Sequence, residues 1–218
     1  MPSYEAIIFD FDGVLTDSAT IKSAAFRSLY ASYGTEIVEA VVAHHAAHEG
    51  ISRVVKIKHC HKEFLGIDLD DQALASIVGD YQDIVENQVI ASDWIEGARE
   101  LLEFVQGRIP LIVASGTPED ELMRIVAARG MTHYFTEVRG SPDKKEMIVQ
   151  GAAKQYGFDP HRALFLGDAM TDYHAAENCG CPFIGIVSNP GKNSFPDNAE
   201  TVQNLFSILE RFKNNIDI

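Results

Sequence analysis

The chain has 218 residues, of which 46% are apolar and 23% are charged, and its formal net charge is −14 at pH 7. This profile is typical of a soluble globular protein with one large domain, or one domain that carries a smaller insert. The surplus of acidic residues argues against non-specific binding to nucleic acid or to an anionic membrane.

Short apolar runs without strict alternation predict buried parallel strands. In chain order they are Ala6–Phe9, Leu111–Ala114, Ala163–Leu166 and Phe183–Val187, with a weaker candidate at Tyr134–Val138. Stripes with helical spacing lie between them, and the last stripe consists of Val202, Leu205, Phe206 and Leu209. Strands that alternate with helices predict an α/β fold with a Rossmann-like, doubly wound parallel sheet.

One long segment interrupts this alternation. From about Thr16 to Asp93 the sequence shows helical stripes and no convincing strand. We therefore expect residues 17–93 to form an α-helical cap domain, and residues 1–16 and 94–218 to form the α/β core. The cap is expected above the carboxyl ends of the strands, where a lid would cover a bound ligand.

Acidic residues follow two of the predicted strands. Asp10 and Asp12 come directly after the first strand, and Asp168 and Asp172 follow Ala163–Leu166. Acids are depleted in strands and costly to bury without a partner, so their position at strand ends suggests chemistry there. Carboxylates from two strand ends can hold a hard cation such as Mg²⁺, which leaves one carboxylate to attack a phosphoryl group.

The strand at Leu111–Ala114 is followed by groups that suit phosphate oxygens. Ser115 and Gly116 come first, and Thr117-Pro118 is typical of a helix start, with Thr as N-cap and Pro at the first position. The N–H groups of such a helix end attract anions.

Two lysines open another predicted helix. Lys144 and Lys145 follow Gly140-Ser141-Pro142-Asp143. A lysine at this point would offset charge on a transferring phosphoryl group.

These elements, in this order, resemble the motifs of the haloacid dehalogenase superfamily. The matches are Asp10-Phe11-Asp12-Gly13-Val14, then Ser115, then Lys145 (with Lys144 as an alternative one residue away), then Gly167-Asp168-x-x-x-Asp172. The resemblance covers essentially the whole chain. The helical insert is similar to the cap of the phosphoglycolate phosphatase and β-phosphoglucomutase group.

The resemblance implies a role for each matched residue. Asp10 is the expected nucleophile and a metal ligand. Asp12 is the expected general acid and base, and its backbone carbonyl is a further metal ligand. The resemblance also implies that Ser115, Gly116 and Lys145 hold the phosphate, that Asp168 binds Mg²⁺, and that Asp172 supports the metal site and orients Lys145.

An acid at the position of Asp12 is absent from the dehalogenase and phosphonate-cleaving branches of the superfamily. The resemblance therefore implies a Mg²⁺-dependent phosphatase that hydrolyses a small phosphorylated metabolite through an aspartyl-phosphate. A phosphomutase of the β-phosphoglucomutase type, or a non-catalytic protein that binds a phosphorylated metabolite, are the alternatives. We expect a monomer or homodimer, with neither nucleic acid nor membrane as partner.

Basic residues of the insert are candidates for contact with the rest of the substrate. His48-Glu49-Gly50-Ile51-Ser52-Arg53 resembles a lid loop and helix start of the same group, which makes Arg53 the first candidate, with Lys56 on roughly the same helix face. The alternative for Arg53 is an exposed pair with Glu49. His44 and His48 are four residues apart and could bind a metal, but local hydrogen bonding is the alternative.

The cysteine count bears on the compartment. Cys60, Cys179 and Cys181 form no framework spacing, which fits a reducing compartment and buried thiols. The sequence also lacks a signal-peptide pattern and any apolar run near the ~20 residues of a membrane span, so we expect a cytoplasmic protein.

Overall fold

Six strands of the described residues run parallel in a single sheet. The structure is a computed structural model that describes residues 4–48, 51–188 and 193–214. The strands are β1 (Ala6–Phe9), β2 (Leu111–Pro118), β3 (Glu137–Ser141), β4 (Ala163–Gly167), β5 (Phe183–Ile186) and β6 (Thr201–Val202). They lie in the order β3-β2-β1-β4-β5-β6, so the chain winds outward from β1 in both directions.

Nine α-helices lie in the described part of the chain. Four of them follow β1: α1 (Ala19–Leu29), α2 (Thr35–Ala47), α3 (Arg53–Leu65) and α4 (Asp71–Ala91). The other five are α5 (Ala98–Val105), α6 (Glu119–Ala128), α7 (Lys145–Tyr156), α8 (Met170–Cys179) and α9 (Phe206–Asn214). None of these helices combines the length and the apolar character that a bilayer crossing requires.

Helices cover both faces of the sheet. Side chains alternate along β1, so Ile7 and Phe9 pack into the core that contains the buried residues of α5, α6 and α9. Ala6 and Ile8 pack into a second core with the buried residues of α7 and α8. Both cores exclude water from the central strands, which explains their continuous apolar runs. This arrangement confirms the predicted doubly wound parallel sheet.

The strand register brings the carboxyl ends of β1 and β4 to the same level as Val113 on β2. Phe9 at the end of β1 pairs with Val113 on β2 and with Leu166 on β4. The residues that follow each of these three therefore lie side by side at one edge of the sheet. The predicted acidic and phosphate-binding segments meet at this edge for that reason.

Both edge strands differ from the sequence prediction. The weak candidate at Tyr134–Val138 is wrong in its bounds, because Thr132–Tyr134 forms a 3₁₀ turn and β3 begins at Glu137. The helical spacing predicts Val202 on the last helix, but Val202 pairs with Ile186 in β6, and α9 begins only at Phe206.

The chain enters and leaves the helical segment α1–α4 side by side, and two hydrogen bonds join these two stretches. The Asp17 N–H donates to the Asp93 carbonyl at 2.9 Å, and the Ile95 N–H donates to the Leu15 carbonyl at 3.1 Å. Within the segment α1 packs on α2 and α4, and α3 packs on α2 and α4. Contacts of α4 with α6 then bring the segment back over the sheet edge.

The three cysteines are free thiols. Cys60 and Cys181 are buried, and Cys179 is half-buried. Burial raises the pKa of Cys60 to about 11, so this thiol stays protonated near neutral pH.

Candidate active site

Asp10 is the first residue after β1 and lies inside the protein, with 3% of its surface exposed. Its N–H donates to the Leu166 carbonyl at 2.9 Å, which extends the β1–β4 pairing by one residue. Its Oδ1 accepts the Phe11 N–H at 2.8 Å and lies 3.0 Å from Lys145 Nζ. The backbone of the sheet therefore fixes the direction of this carboxylate.

Three carboxylates converge around this point. Oxygen atoms of Asp10, Asp168 and Asp172 lie within 4.8 Å of one another. They are hard oxygen ligands of the kind that Mg²⁺ and Ca²⁺ prefer, so the donor set fits a divalent cation. Two of the three also line the cavity described below, namely Asp10 and Asp168. Asp172 is completely buried behind them.

Two glycines allow the acids to come this close. Gly13 has a φ of +76°, and a Cβ atom there would lie 1.9 Å from Asp168 Oδ2. A Cβ atom on Gly167 would lie 2.2 Å from Asp172 Cβ. Both positions therefore exclude any larger residue while the carboxylates keep their places.

Lys145 lies at the start of α7 and points into the acidic cluster. Its Nζ lies 2.5 Å from Asp172 Oδ1, while the other oxygen of Asp172 accepts the Ala169 N–H at 3.1 Å. Lys145 is buried, whereas Lys144 is exposed. Of the two lysines that the sequence left open, the structure therefore brings Lys145 to the acids.

Charge and burial act on these groups in opposite directions. Burial raises the pKa of Asp10 to about 7 against the opposing effect of Lys145, and the neighbouring Asp172 and Asp12 add to the rise. Burial disfavours the Lys145 ammonium, but Asp10 and Asp172 outweigh it and raise the pKa of Lys145. A bound cation would favour the ionised form of Asp10.

Asp12 is held by three side chains, two from the start of α1 and one from β2. Ser18 Oγ donates to its Oδ1 at 2.5 Å, Thr117 Oγ1 donates to its Oδ2 at 3.3 Å, and the Lys22 ammonium contacts Oδ2. Burial opposes ionisation of Asp12, but Lys22 and these hydrogen bonds outweigh it and hold the pKa of Asp12 below its usual value.

Sequence reasoning missed this role of Lys22. Ser18, Lys22 and Phe26 are spaced four residues apart at the start of the first helix, which places them on one face. This spacing, which starts six residues after Asp12, is the feature of the sequence that could have indicated a contact between Lys22 and Asp12.

Ser115 and Gly116 lie at the end of β2. Ser115 is buried, and its Oγ accepts the Thr117 N–H at 3.1 Å, while Gly116 lines the cavity. The predicted helix start is wrong by one residue, because β2 continues through Pro118 and α6 begins at Glu119. Thr117 is therefore not an N-cap, and its hydroxyl is available to Asp12 and Lys22.

A cavity separates these strand ends from the helical segment. On the sheet side it is lined by Asp10, Asp12, Gly116, Thr117 and Asp168, and on the helical side by Lys22, Phe26, His45, Ile51, Arg53, Lys56 and Tyr81. The acids, the phosphate-binding candidates and the basic residues of the insert therefore share one space.

Arg53 is buried, with its guanidinium 4.6 Å from the centre of the Tyr81 ring. Its Nη2 donates to Glu121 Oε1 on α6 at 2.6 Å, so the arginine joins the helical segment to the core. The alternative of an exposed pair is wrong for Arg53. Its suggested partner Glu49 lies outside the described residues.

The histidines of the insert bond and stack locally. Lys56 Nζ lies 3.0 Å from His45 Nδ1, and both residues are buried against the cavity. His48 Nδ1 contacts the His44 carbonyl at 2.8 Å, and the His44 ring stacks on His59 with centroids 4.1 Å apart. Among the described residues, the group that brings three metal-ligating side chains together is the acidic one.

Comparison with known proteins assigns the family. Residues 7–186 match the model of the haloacid dehalogenase-like hydrolases. The chain belongs to this family. The match includes both acidic segments and the helical insert between them, and it confirms the resemblance and the expectation of a hydrolase.

Two relatives of this chain are named as phosphatases. The chain is 29% identical over 194 residues to a phosphoglycolate phosphatase of Rhodobacter capsulatus, with 82% of each chain covered. It is 27% identical over 204 residues to a phosphorylated carbohydrates phosphatase of Thermotoga maritima, with 86% of this chain and 88% of the relative covered.

Solved structures show the same fold. A predicted phosphoglycolate phosphatase from Haemophilus somnus aligns with a TM-score of 0.74 at 20% identity, covering 97% of this chain and 99% of that one. A β-phosphoglucomutase from Clostridium difficile aligns with a TM-score of 0.75 at 20% identity, covering 98% and 99%. Phosphatases and mutases thus share this architecture, and the fold alone does not separate them.

Proposed function

We propose that this hydrolase is a Mg²⁺-dependent phosphatase that removes phosphate from a small phosphorylated metabolite through an aspartyl-phosphate on Asp10. The observation behind this proposal is that Asp10 is buried at the cavity wall beside Lys145 and two further acids, Asp168 after β4 and Asp172 on α8. Such a carboxylate is fixed in direction and shielded from water, as a nucleophile requires.

The acidic cluster is the proposed magnesium site, with Asp10, Asp168 and the Asp12 backbone carbonyl as ligands. Bound there, Mg²⁺ would neutralise charge on the phosphoryl oxygens and favour the ionised form of Asp10. Asp172 supports the site from behind and holds Lys145 by the 2.5 Å contact.

The chain's own residues divide the reaction between them. Asp10 attacks phosphorus, the bond to the ester oxygen breaks, and Asp12 delivers a proton to that leaving oxygen. Asp12 then takes a proton from the water that attacks the aspartyl-phosphate, which releases inorganic phosphate and restores Asp10. Lys145, Ser115 and the Gly116 N–H hold the phosphate oxygens throughout.

Residues 17–93 are the proposed cap domain, and residues 1–16 and 94–218 the proposed core. The two adjacent connections at Asp17–Asp93 and Leu15–Ile95 support this division, because they lie at the proposed boundary. Arg53 is the proposed contact of the cap with the rest of the substrate. In support, Arg53 lines the cavity, and its Nη1 has no hydrogen-bond partner in the described part of the chain.

The relatives suggest which substrates to test. Their names refer to phosphoglycolate and to phosphorylated carbohydrates. We therefore infer that the substrate of this chain is a short phosphorylated acid or a sugar phosphate. We also propose that the protein acts in the cytoplasm and is a monomer or homodimer.

Phosphate release from both substrate types, and from an aryl phosphate, tests the proposal. Activity is expected with Mg²⁺ and not with EDTA, and Asp10→Asn is expected to abolish it. Asp68→Asn, an exposed acid on the cap, is the matched control and should retain activity. Full activity of Asp10→Asn would contradict the nucleophile. Conversion of a sugar phosphate to its isomer, without release of phosphate, would identify a mutase instead.

A further inference from the structure

Lys22 joins the helical segment to two strand ends at once. Its ammonium contacts Asp12 Oδ2 after β1 and donates to Thr117 Oγ1 at the end of β2 at 2.8 Å. Thr117 Oγ1 in turn donates to the same Asp12 oxygen, so the three groups form a closed triangle. The Lys22 and Asp12 side chains are only 18% and 14% exposed, and both line the cavity.

The partners of Asp12 divide its two oxygens into different environments. An ionised carboxylate offers about four acceptor positions. Lys22 and Thr117 occupy two on Oδ2, and Ser18 occupies one on Oδ1. Among the described residues this leaves one acceptor position, and it lies on Oδ1. Oδ1 is therefore the oxygen at which Asp12 can exchange a proton with a substrate, while Oδ2 stays bound to Lys22 and Thr117.

From this geometry we propose that Lys22 is a positioning residue for proton transfer between Asp12 and the leaving oxygen of the substrate. The proposal rests on the phosphatase function above. Lys22 fixes the carboxylate so that Oδ1 presents the proton, and it does so from α1 of the proposed cap. Delivery of a proton by a positioned group accelerates a reaction about 10²–10⁴-fold, of which orientation supplies a large share.

A purely structural ion pair would give a different kinetic pattern. An alkyl phosphate loses a poor leaving group, whose oxygen needs a proton as the bond to phosphorus breaks. A nitrophenyl phosphate loses a nitrophenolate, which departs without one. A defect in the orientation of Asp12 therefore slows the alkyl ester far more than the aryl ester, whereas a general loss of structure slows both equally.

The experiment measures kcat/KM for an alkyl phosphate and for p-nitrophenyl phosphate, because this ratio reports the steps up to phosphorylation of Asp10. The variants are Lys22→Met, which keeps the length of the side chain without its charge, and Lys22→Arg. Lys58→Met on α3 is the control, because Lys58 is an exposed lysine of the same segment. Circular dichroism and the melting temperature establish that each variant is folded at the assay temperature.

We expect Lys22→Met to lower kcat/KM about 10- to 100-fold for the alkyl ester and less than about 3-fold for the aryl ester. Lys22→Arg should recover part of the alkyl activity, and Lys58→Met should match the wild type on both esters. If Lys22→Met lowers kcat/KM equally for the two esters, or for neither, the proposed role of Lys22 is overturned, and the phosphatase proposal is not affected. If the wild type hydrolyses neither ester, or if Asp10→Asn hydrolyses them as fast as the wild type, the phosphatase proposal is overturned and this inference with it.

Discussion

Lys145 Nζ lies 3.0 Å from Asp10 Oδ1 and 2.5 Å from Asp172 Oδ1, and all three side chains are buried. The lysine thus separates two acids that would otherwise repel each other. Lys145 is also proposed to bind the phosphate oxygens of the substrate through its positive charge. Its removal should therefore affect stability and catalysis through the same charge.

We expect Lys145→Met to lower kcat/KM by about 10²–10³, the usual cost of losing one group that stabilises a transition state. It should also destabilise the fold by about 3–5 kcal/mol at pH 8, because breaking a buried pair leaves charge uncompensated. The loss should shrink toward pH 5, since the pKa of Asp10 is already raised to about 7 and a proton on Asp10 can replace the ammonium. Urea titrations at both pH values test this prediction. Lys144→Met is the control, because Lys144 is the exposed neighbour of Lys145.

The acidic cluster predicts stabilisation by Mg²⁺. A ligand that binds only the folded state at 100 times its dissociation constant adds about 2.7 kcal/mol to the free energy of unfolding. Thermal unfolding with and without Mg²⁺ should show this as a higher melting temperature. Asp168→Asn should abolish the shift, whereas Asp83→Asn, at an exposed position, should keep it. An unchanged shift in Asp168→Asn would place the ion elsewhere.

Gly13 and Gly66 provide a matched pair of substitutions. Both have left-handed backbone, with φ of +76° and +68°, but only a Cβ atom on Gly13 meets another group, Asp168 Oδ2 at 1.9 Å. Gly66→Ala should cost about 1 kcal/mol of stability from its backbone alone. Gly13→Ala should cost about 1–3 kcal/mol and displace Asp168.

The readout that separates the two variants is the Mg²⁺ concentration for half-maximal activity. It should rise in Gly13→Ala and stay at the wild-type value in Gly66→Ala. Equal Mg²⁺ dependence in both variants would show that Asp168 does not depend on the space beside Gly13.

The sequence located the central strands and the acids well because both signals are local. Strands such as β1 and β4 are covered on both faces and read as apolar runs, and Asp10 or Asp168 follows each run at once. The predicted bounds of the edge strand β3 are wrong for the opposite reason. β3 contains Glu137 and Arg139, which meet charged neighbours and solvent at the edge, so its apolar signal is weak.

The contacts across the cavity could not be read from the sequence. Lys22 and Thr117 are 95 positions apart, and Arg53 and Glu121 are 68 positions apart. These pairs form only because the helical segment folds back over the sheet edge. A sequence motif shows which residues follow a strand, but it does not show which face of a distant helix packs against those residues.

His45 predicts a loss of stability in acid. Burial, with Lys56, Lys22 and His44 nearby, lowers the pKa of His45 to about 3, although Asp12 opposes the shift. An unfolded histidine titrates near 6.5, so between about pH 6.5 and 3 the unfolded chain binds a proton that the folded chain does not. Stability is therefore complete above pH 6.5 and falls as the pH is lowered through this window.

At pH 5 the contribution of His45 amounts to about 2 kcal/mol at most. His45→Gln should reduce the loss of stability between pH 7 and 5 by this amount, because glutamine does not titrate. His174→Gln is the control, since His174 is exposed on α8. Denaturant midpoints at the two pH values provide the measurement. An identical pH dependence in His45→Gln and the wild type would contradict the assignment.

The buried pair of Arg53 and Glu121 predicts strong coupling between the helical segment and the core. Both side chains are 4% exposed, and the arginine also lies over Tyr81. Arg53→Met or Glu121→Gln alone should destabilise the protein by about 3–5 kcal/mol, because each leaves a buried charge without its partner.

The double variant should cost less than either single change, since an apolar side chain and a neutral one avoid the uncompensated charge. The same cycle on Arg27 and Glu39, whose side chains are 53% and 59% exposed, should show much weaker coupling. Urea unfolding of the four proteins in each cycle measures both couplings. Additive effects of Arg53→Met and Glu121→Gln would show that the pair does not act as a unit.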